Sequence, residues 1–159
     1  MPLSTLREFL DRNTIKYLVI SHSLAYTAQG IAALTHTPGQ ELAKTVILLV
    51  DGRLAMAVVP ASFRVDLFKL KKYLGADTVE LATECEFRDQ FPDCETGAMP
   101  PFGNLYGMPV YLDSGLAAEE TITFNAGTHR DVVHMRTSEF RKLVQPTLIS
   151  LAREAAMWR

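Results

Sequence analysis

The sequence lacks most of the features that mark the common functional classes of small proteins. Its two cysteines, Cys85 and Cys94, form no Cys-x-x-Cys pair and are too few for a disulfide scaffold. Its four histidines show neither His-x-x-x-His nor Glu-x-x-His spacing, so no zinc site or other metal centre is expected. No Gly-x-Gly-x-x-Gly turn or Walker loop is present, which removes the usual nucleotide-binding readings. The longest aliphatic run is 46–50, far short of the roughly 20 residues needed to cross a bilayer. The amino terminus shows no basic stretch leading into an apolar one, so a cytoplasmic protein without membrane contact is expected. Nor is there an excess of positive charge. A net charge of −2 and a pI near 6.1 exclude broad, non-specific binding to nucleic acid. They leave room for a protein that grips only the end of an RNA.

What is present is an ordinary globular composition, 48% hydrophobic and 21% charged over 159 residues. That length suits a single domain spanning 1–159. Leu6, Phe9 and Leu10 follow helical spacing after a capping Ser4, and 16–20 reads as a strand. Thr27 can cap a short helix over 28–34, followed by a turn at 37–39. Two β-rich runs, 45–50 and 53–59, flank Asp51-Gly52, the dipeptide of type I′ hairpins. Both runs are nearly all apolar, which predicts a hairpin covered on both faces. A helix over 66–74 with Leu67, Leu70 and Leu74 inward ends at Gly75. Strands follow at 78–81, 109–112, 121–124 and 132–135. A helix from Ser138 is broken at Gln145-Pro146 and resumes to the end. The irregular order predicts an α+β fold with a mixed, barrel-like curved β-sheet flanked by helices.

Three segments have the residue types that chemistry needs. Lys44 leads directly into the apolar run 46–50, the place for a partly desolvated, fixed cation or for an edge lysine that snorkels to water. The stretch Gly97-Ala98-Met99-Pro100-Pro101-Phe102-Gly103 pairs stiff prolines with turning glycines. Such a loop either aims backbone N–H groups at a carbonyl oxygen or serves as a rigid connection. The stretch 125–131 sets Asn125, Gly127, His129, Arg130 and Asp131 between apolar strands. Its polar groups suit a binding loop, with His129 as acid, base or hydrogen-bonding group and Arg130 for phosphate; a solvated loop is the plainer alternative. His22 could line the same cleft or be a satisfied wall histidine. Arg64, Lys69, Lys71 and Lys72 are the one basic concentration, either a phosphate-facing rim or a solvated helix face.

Taken in order, these segments resemble the YbaK/prolyl-tRNA synthetase-associated editing family over nearly the whole chain. The resemblance runs through 22–27, 43–48, 59–61, 65–67, 73–76, 97–103 and 124–127. It implies a mixed α/β fold and hydrolysis of the ester that joins a wrong amino acid to the terminal adenosine of a tRNA. Lys44 matches the family's essential lysine, and Gly97 to Pro101 match its Gly-x-x-x-Pro loop. His129 stands where several members carry a pocket histidine. His22, Thr45, Ala98, Met99, Pro100, Pro101, Phe102, Asn125, Gly127 and Arg130 complete the expected substrate-binding set. The matched positions hold no protein nucleophile, so the resemblance implies assistance from the terminal ribose hydroxyl or the substrate itself, without a covalent enzyme intermediate or a cofactor.

Some residues depart from the family's subgroups. Thr45 stands where several alanine-clearing relatives carry Asn, and the double proline is nearer to relatives that clear serine or threonine. The cleared residue is therefore expected to be small: Ala, Ser, Thr or Cys. The expected partners are the acceptor end of a mischarged tRNA, a synthetase and a second copy in a homodimer. Two alternatives stand beside the deacylase: a non-catalytic module that docks tRNA or a synthetase, and a hydrolase of another small activated ester using Lys44 and His129.

Overall fold

The computed structural model describes residues 2–21, 42–92 and 94–154. Its centre is set by Asp51-Gly52, which joins β2 (Ala43–Val50) to β3 (Arg53–Pro60). Both residues take the left-handed backbone a type I′ turn requires, with φ of 49° and 81°. The Asp51 carboxylate also accepts the N–H groups of Asp77 (2.8 Å) and Thr78 (2.9 Å). That pins the turn against β5 (Val79–Leu81), which pairs with β2.

Beyond β3 the sheet becomes parallel, through β6 (Val110–Asp113) and then β9 (Thr147–Ile149). The order is β5-β2-β3-β6-β9. A second, antiparallel sheet has the order β1 (Tyr17–Ser21), β8 (Asp131–Arg136), β7 (Thr121–Asn125). The two sheets meet where Leu42 bridges Thr123 in parallel. A third pair joins β4 (Phe63–Val65) to β10 (Ala152–Glu154). The fold is mixed α+β as expected, although among the described residues the strands do not close into a barrel.

The central hairpin is covered on both faces. Ile47, Met56 and Val58 pack into the larger core with Phe102, Phe124 and Phe140. Leu48, Ala57 and Val59 pack on the other side with Leu70 of α2 (Leu67–Leu74). The Asp66 carboxylate caps α2 by accepting the Lys69 N–H at 3.0 Å, and Gly75 ends it at φ 64°.

Two boundaries differ from expectation. The first helix, α1 (Pro2–Arg12), begins at Pro2 rather than after Ser4, because proline suits the opening position where an N–H has no intrahelical acceptor. The helix α5 (Thr137–Val144) ends at Gln145, left-handed at φ 51°, just before Pro146. Among the described residues it does not resume; the end of that expected helix, 155–159, lies outside them, and 147–149 and 152–154 are strands. Parallel pairing with β6 and the Asp113 carboxylate, which accepts from Leu151 (3.1 Å) and Ala152 (3.0 Å), hold this segment extended. Short helices α3 (Glu84–Phe87) and α4 (Ser114–Ala117) were not legible in the sequence. The expected helix over 28–34 and the turn at 37–39 lie outside the described residues. No described helix is long and apolar enough to cross a membrane.

Candidate active site

Strand alternation places Lys44. Successive side chains of β2 point to opposite faces, so Lys44 shares the face of Val46 and Leu48, while Thr45 turns to the other. Leu42 and Thr123 are bridged in parallel, and Lys44 and Asn125 each stand two residues further along. Strand alternation therefore turns both to the face that Leu42 and Thr123 share at the β2–β7 junction. Lys44 is half-buried, and its pKa is lowered, first by burial and then by the charge of Arg64. The Oδ1 of Asn125 is buried and has no hydrogen-bond partner among the described residues.

The two loops are sewn together just past Asn125. The N–H of Gly127 donates to Ala98 O at 2.8 Å, and that of Glu95 donates to Gly127 O at 2.8 Å. The backbone N–H of His129 donates to the Glu95 carboxylate at 2.7 Å. Its ring Nε2 lies 2.9 Å from Thr96 O. A carbonyl oxygen only accepts, so Nε2 carries the proton in this contact. Gly97, at φ 85°, sits against the same ring, and a Cβ there would stand 3.6 Å from His129 Cε1.

Below this surface the 97–103 loop is rooted in the core. Ala98, Met99, Pro100, Pro101 and Phe102 are all buried. The Phe102 ring meets Phe140 at 5.3 Å, Phe124 at 5.4 Å and Phe9 at 6.0 Å in edge-on geometry. Phe102, expected to touch substrate, is fully buried and anchors the loop from beneath. Inside the loop, the N–H of Ala98 is taken by Glu95 O (3.0 Å) and that of Phe102 by Pro100 O (2.8 Å). Gly97 is exposed and is the loop position best placed to offer an N–H to a ligand.

Hydrogen bonds and packing link Gly127, Ala98, Gly97 and His129, while Lys44 and Asn125 share the face of the β2–β7 junction from which these loops depart. Arg130 is exposed at the edge, its N–H held by the Thr128 hydroxyl at 3.2 Å, and that hydroxyl donates to Asp131 at 2.8 Å. Thr45 faces away, and His22 lies outside the described residues. Sequence reasoning missed Glu95 and Thr96, the two residues that hold His129. An acid and a threonine before a glycine carry no distinctive local pattern. It also missed that Arg64 stands close enough to Lys44 to act on its charge. A cavity of about 510 Å³ lined by Arg53, Tyr106 and Tyr111 lies at the other end of the hairpin and holds none of these groups.

A half-buried cation beside loops pinned by backbone hydrogen bonds is a site that positions and polarises a bound group, in an α+β scaffold. The chain belongs to the aminoacyl-tRNA editing domain family, which matches residues 22–143. It is 25% identical over 151 residues to the multifunctional Ser/Thr-tRNA deacylase ProXp-y of Escherichia coli K12, covering 92% of this chain and 90% of that one. A proline–tRNA ligase of Leuconostoc citreum is 28% identical over 121 residues, 76% of this chain but 21% of the ligase. Two solved structures share the fold. The hypothetical protein APE2540 superposes with a TM-score of 0.84 at 18% identity, covering 93% of this chain and 99% of the other. A candidate trans-editing enzyme for prolyl tRNA synthetase gives 0.82 at 21% identity, covering 97% and 98%.

Proposed function

We propose that the chain is a trans-acting aminoacyl-tRNA deacylase that removes a small amino acid, such as Ala, Ser, Thr or Cys, from the acceptor end of a mischarged tRNA. Water adds to the ester carbonyl, and the bond to the terminal ribose oxygen then breaks. Free amino acid and tRNA with its hydroxyl restored are released. The Lys44 ammonium holds the terminal nucleotide and carbonyl region, and the Gly97 N–H meets the oxygen on which negative charge develops. Asn125 Oδ1, an acceptor on the same face as Lys44, receives a hydrogen bond from the substrate's ammonium or hydroxyl group.

His129 acts as a positioning residue in this scheme. Its ring grips Thr96 O and so fixes the strand of backbone that carries Gly97. The observation that carries the proposal is the junction itself: a partly desolvated Lys44 on the same face of the β2–β7 junction as Asn125, whose strand leads into two loops pinned by backbone hydrogen bonds, in a chain of the editing family. Deacylation assays with tRNAs charged with alanine, serine, threonine, cysteine and proline test it. Hydrolysis of one or two esters by wild type, lost in Lys44→Ala, is expected. Equal turnover by Lys44→Ala contradicts the assignment.

A further inference from the structure

Resting on the deacylase reading, we propose that the outer face of α2, with Arg64 and Arg153, is the surface that docks the single-stranded 3′ end of the RNA as it runs into the Lys44 site. Of the eight residues of α2, five are exposed: Phe68, Lys69, Lys71, Lys72 and Tyr73. None is acidic. Arg64–Leu74 carries four cations against the one carboxylate of Asp66, itself engaged in capping, so the remainder of a chain of net charge −2 holds the acidic excess. The basic charge is therefore local and one-sided.

Two large aromatic side chains are interleaved with it, Phe68 at 69% and Tyr73 at 61% exposure. Exposed rings of this size are costly to leave in water, and single-stranded nucleic acid stacks its bases on such rings while lysines follow its phosphates. The Lys72 ammonium lies 5.3 Å from the centre of the Phe68 ring, which combines both functions in one pair. A groove of about 490 Å³, lined by Lys69, Lys72, Tyr73, Ile149 and Ser150, runs beside the helix.

A second, independent feature is the placement of Arg64. It stands directly opposite Arg153 in the antiparallel β4–β10 pair, and both are exposed. Like charges in register across two strands repel, an arrangement that a bridging phosphate reverses. Arg64 is separated from α2 by two residues and its charge also acts on Lys44, which sets the basic cluster towards the proposed reaction centre. At roughly 1.5 Å per residue, α2 is about 12 Å long, a platform for a short run of nucleotides rather than for a whole tRNA. This fits the overall acidic charge.

The test is fluorescence anisotropy of wild type and of two exposed double variants, Lys69→Ala/Lys72→Ala and Phe68→Ala/Tyr73→Ala, with a short single-stranded RNA ending in a 3′ adenosine. Each double variant is expected to bind at least tenfold more weakly. The lysine variant should also lower the slope of log affinity against log salt by about 0.7 per lost phosphate contact. Unchanged affinity and slope in both variants overturn the proposal. So does tighter binding to polyglutamate or to vesicles of anionic lipid than to the RNA, which would mark an acidic protein or a membrane as the occupant. Hydrolysis of aminoacyl-adenosine, too small to reach α2, is measured in parallel. A wild type inert on both that ester and charged tRNA, with RNA binding still dependent on α2, refutes the deacylase reading and leaves the docking surface standing.

Discussion

Lys44 carries the account at the level of single residues, and its environment makes a signed prediction. Its pKa lies below the ordinary 10.5 because burial, and then Arg64, disfavour the ammonium. Between the lowered pKa and 10.5 the unfolded chain binds the proton that the folded chain has lost, so this group's penalty on stability is relieved as pH rises through that window. Activity moves the other way. If the ammonium holds the substrate, kcat/KM falls on an alkaline limb that begins below 10.5. Arg64→Ala should shift that limb to higher pH, read as a pH profile on aminoacyl-adenosine; an unmoved limb would disconnect Arg64 from Lys44. Gly97→Ala makes a separate prediction. Alanine at φ 85° is strained by roughly 1–2 kcal/mol whatever the space beside it. The backbone should relax away from the ligand, with kcat down about 10²–10³-fold as for removal of one oxyanion donor. His129→Ala is expected to lower kcat with little change in KM, since its ring holds Thr96 rather than the ligand; a lost substrate contact would raise KM instead.

Elements carry the site through a few buried connections, and two of them are exposed to simple tests. Asp113, 6% exposed, accepts from Gly115, Leu151 and Ala152 and so fastens β10, which in turn pairs with β4. Asp113→Ala leaves those donors without an acceptor, at about 1–3 kcal/mol for each that water cannot reach, and should lower Tm by several degrees. Gly103 is a matter of space. A Cβ there would fall on the carbonyl oxygen of Met108 and 2.6 Å from Val110 Cγ2. Gly103→Ala should therefore destabilise the fold in a urea titration, whereas alanine at Gly107, which meets nothing within 4 Å, pays only for its positive φ of 70°. These elements also show what could be read in advance. The Asp51-Gly52 hairpin and the capped α2 were legible because their signals are local: a turn dipeptide, a cap and a helical period. The carboxyl-terminal strands were not. Their extended form is imposed by Asp113, 38 residues away from Leu151, and by pairing to β6, neither of which local propensity contains. Lys44 and the Gly97 loop were legible by residue type and by family resemblance. The Glu95 and Thr96 clasp on His129 was not, since it joins residues more than thirty apart.

At the scale of the whole molecule, the question is how a chain of net charge −2 handles a polyanion. The proposed answer is segregation. The lysines of α2 and the Arg64–Arg153 pair gather charge next to Lys44, and the rest of the surface stays acidic enough to discourage binding along the body of an RNA. The same scale sets the limit on specificity. A pocket that differs by a methylene discriminates by only about 1–3 kcal/mol, so small amino acids are expected to be cleared at rates spread over roughly 10–200-fold, with one or two of them dominant. The measurement that tests the central claim most directly is single-turnover deacylation of that charged-tRNA panel by wild type and Lys44→Ala. The account predicts loss of one or two small-residue esters with wild type and a fall of about 10²-fold or more in the variant. Turnover by Lys44→Ala at the wild-type rate, in a variant that folds normally, would remove the reaction centre from the β2–β7 junction.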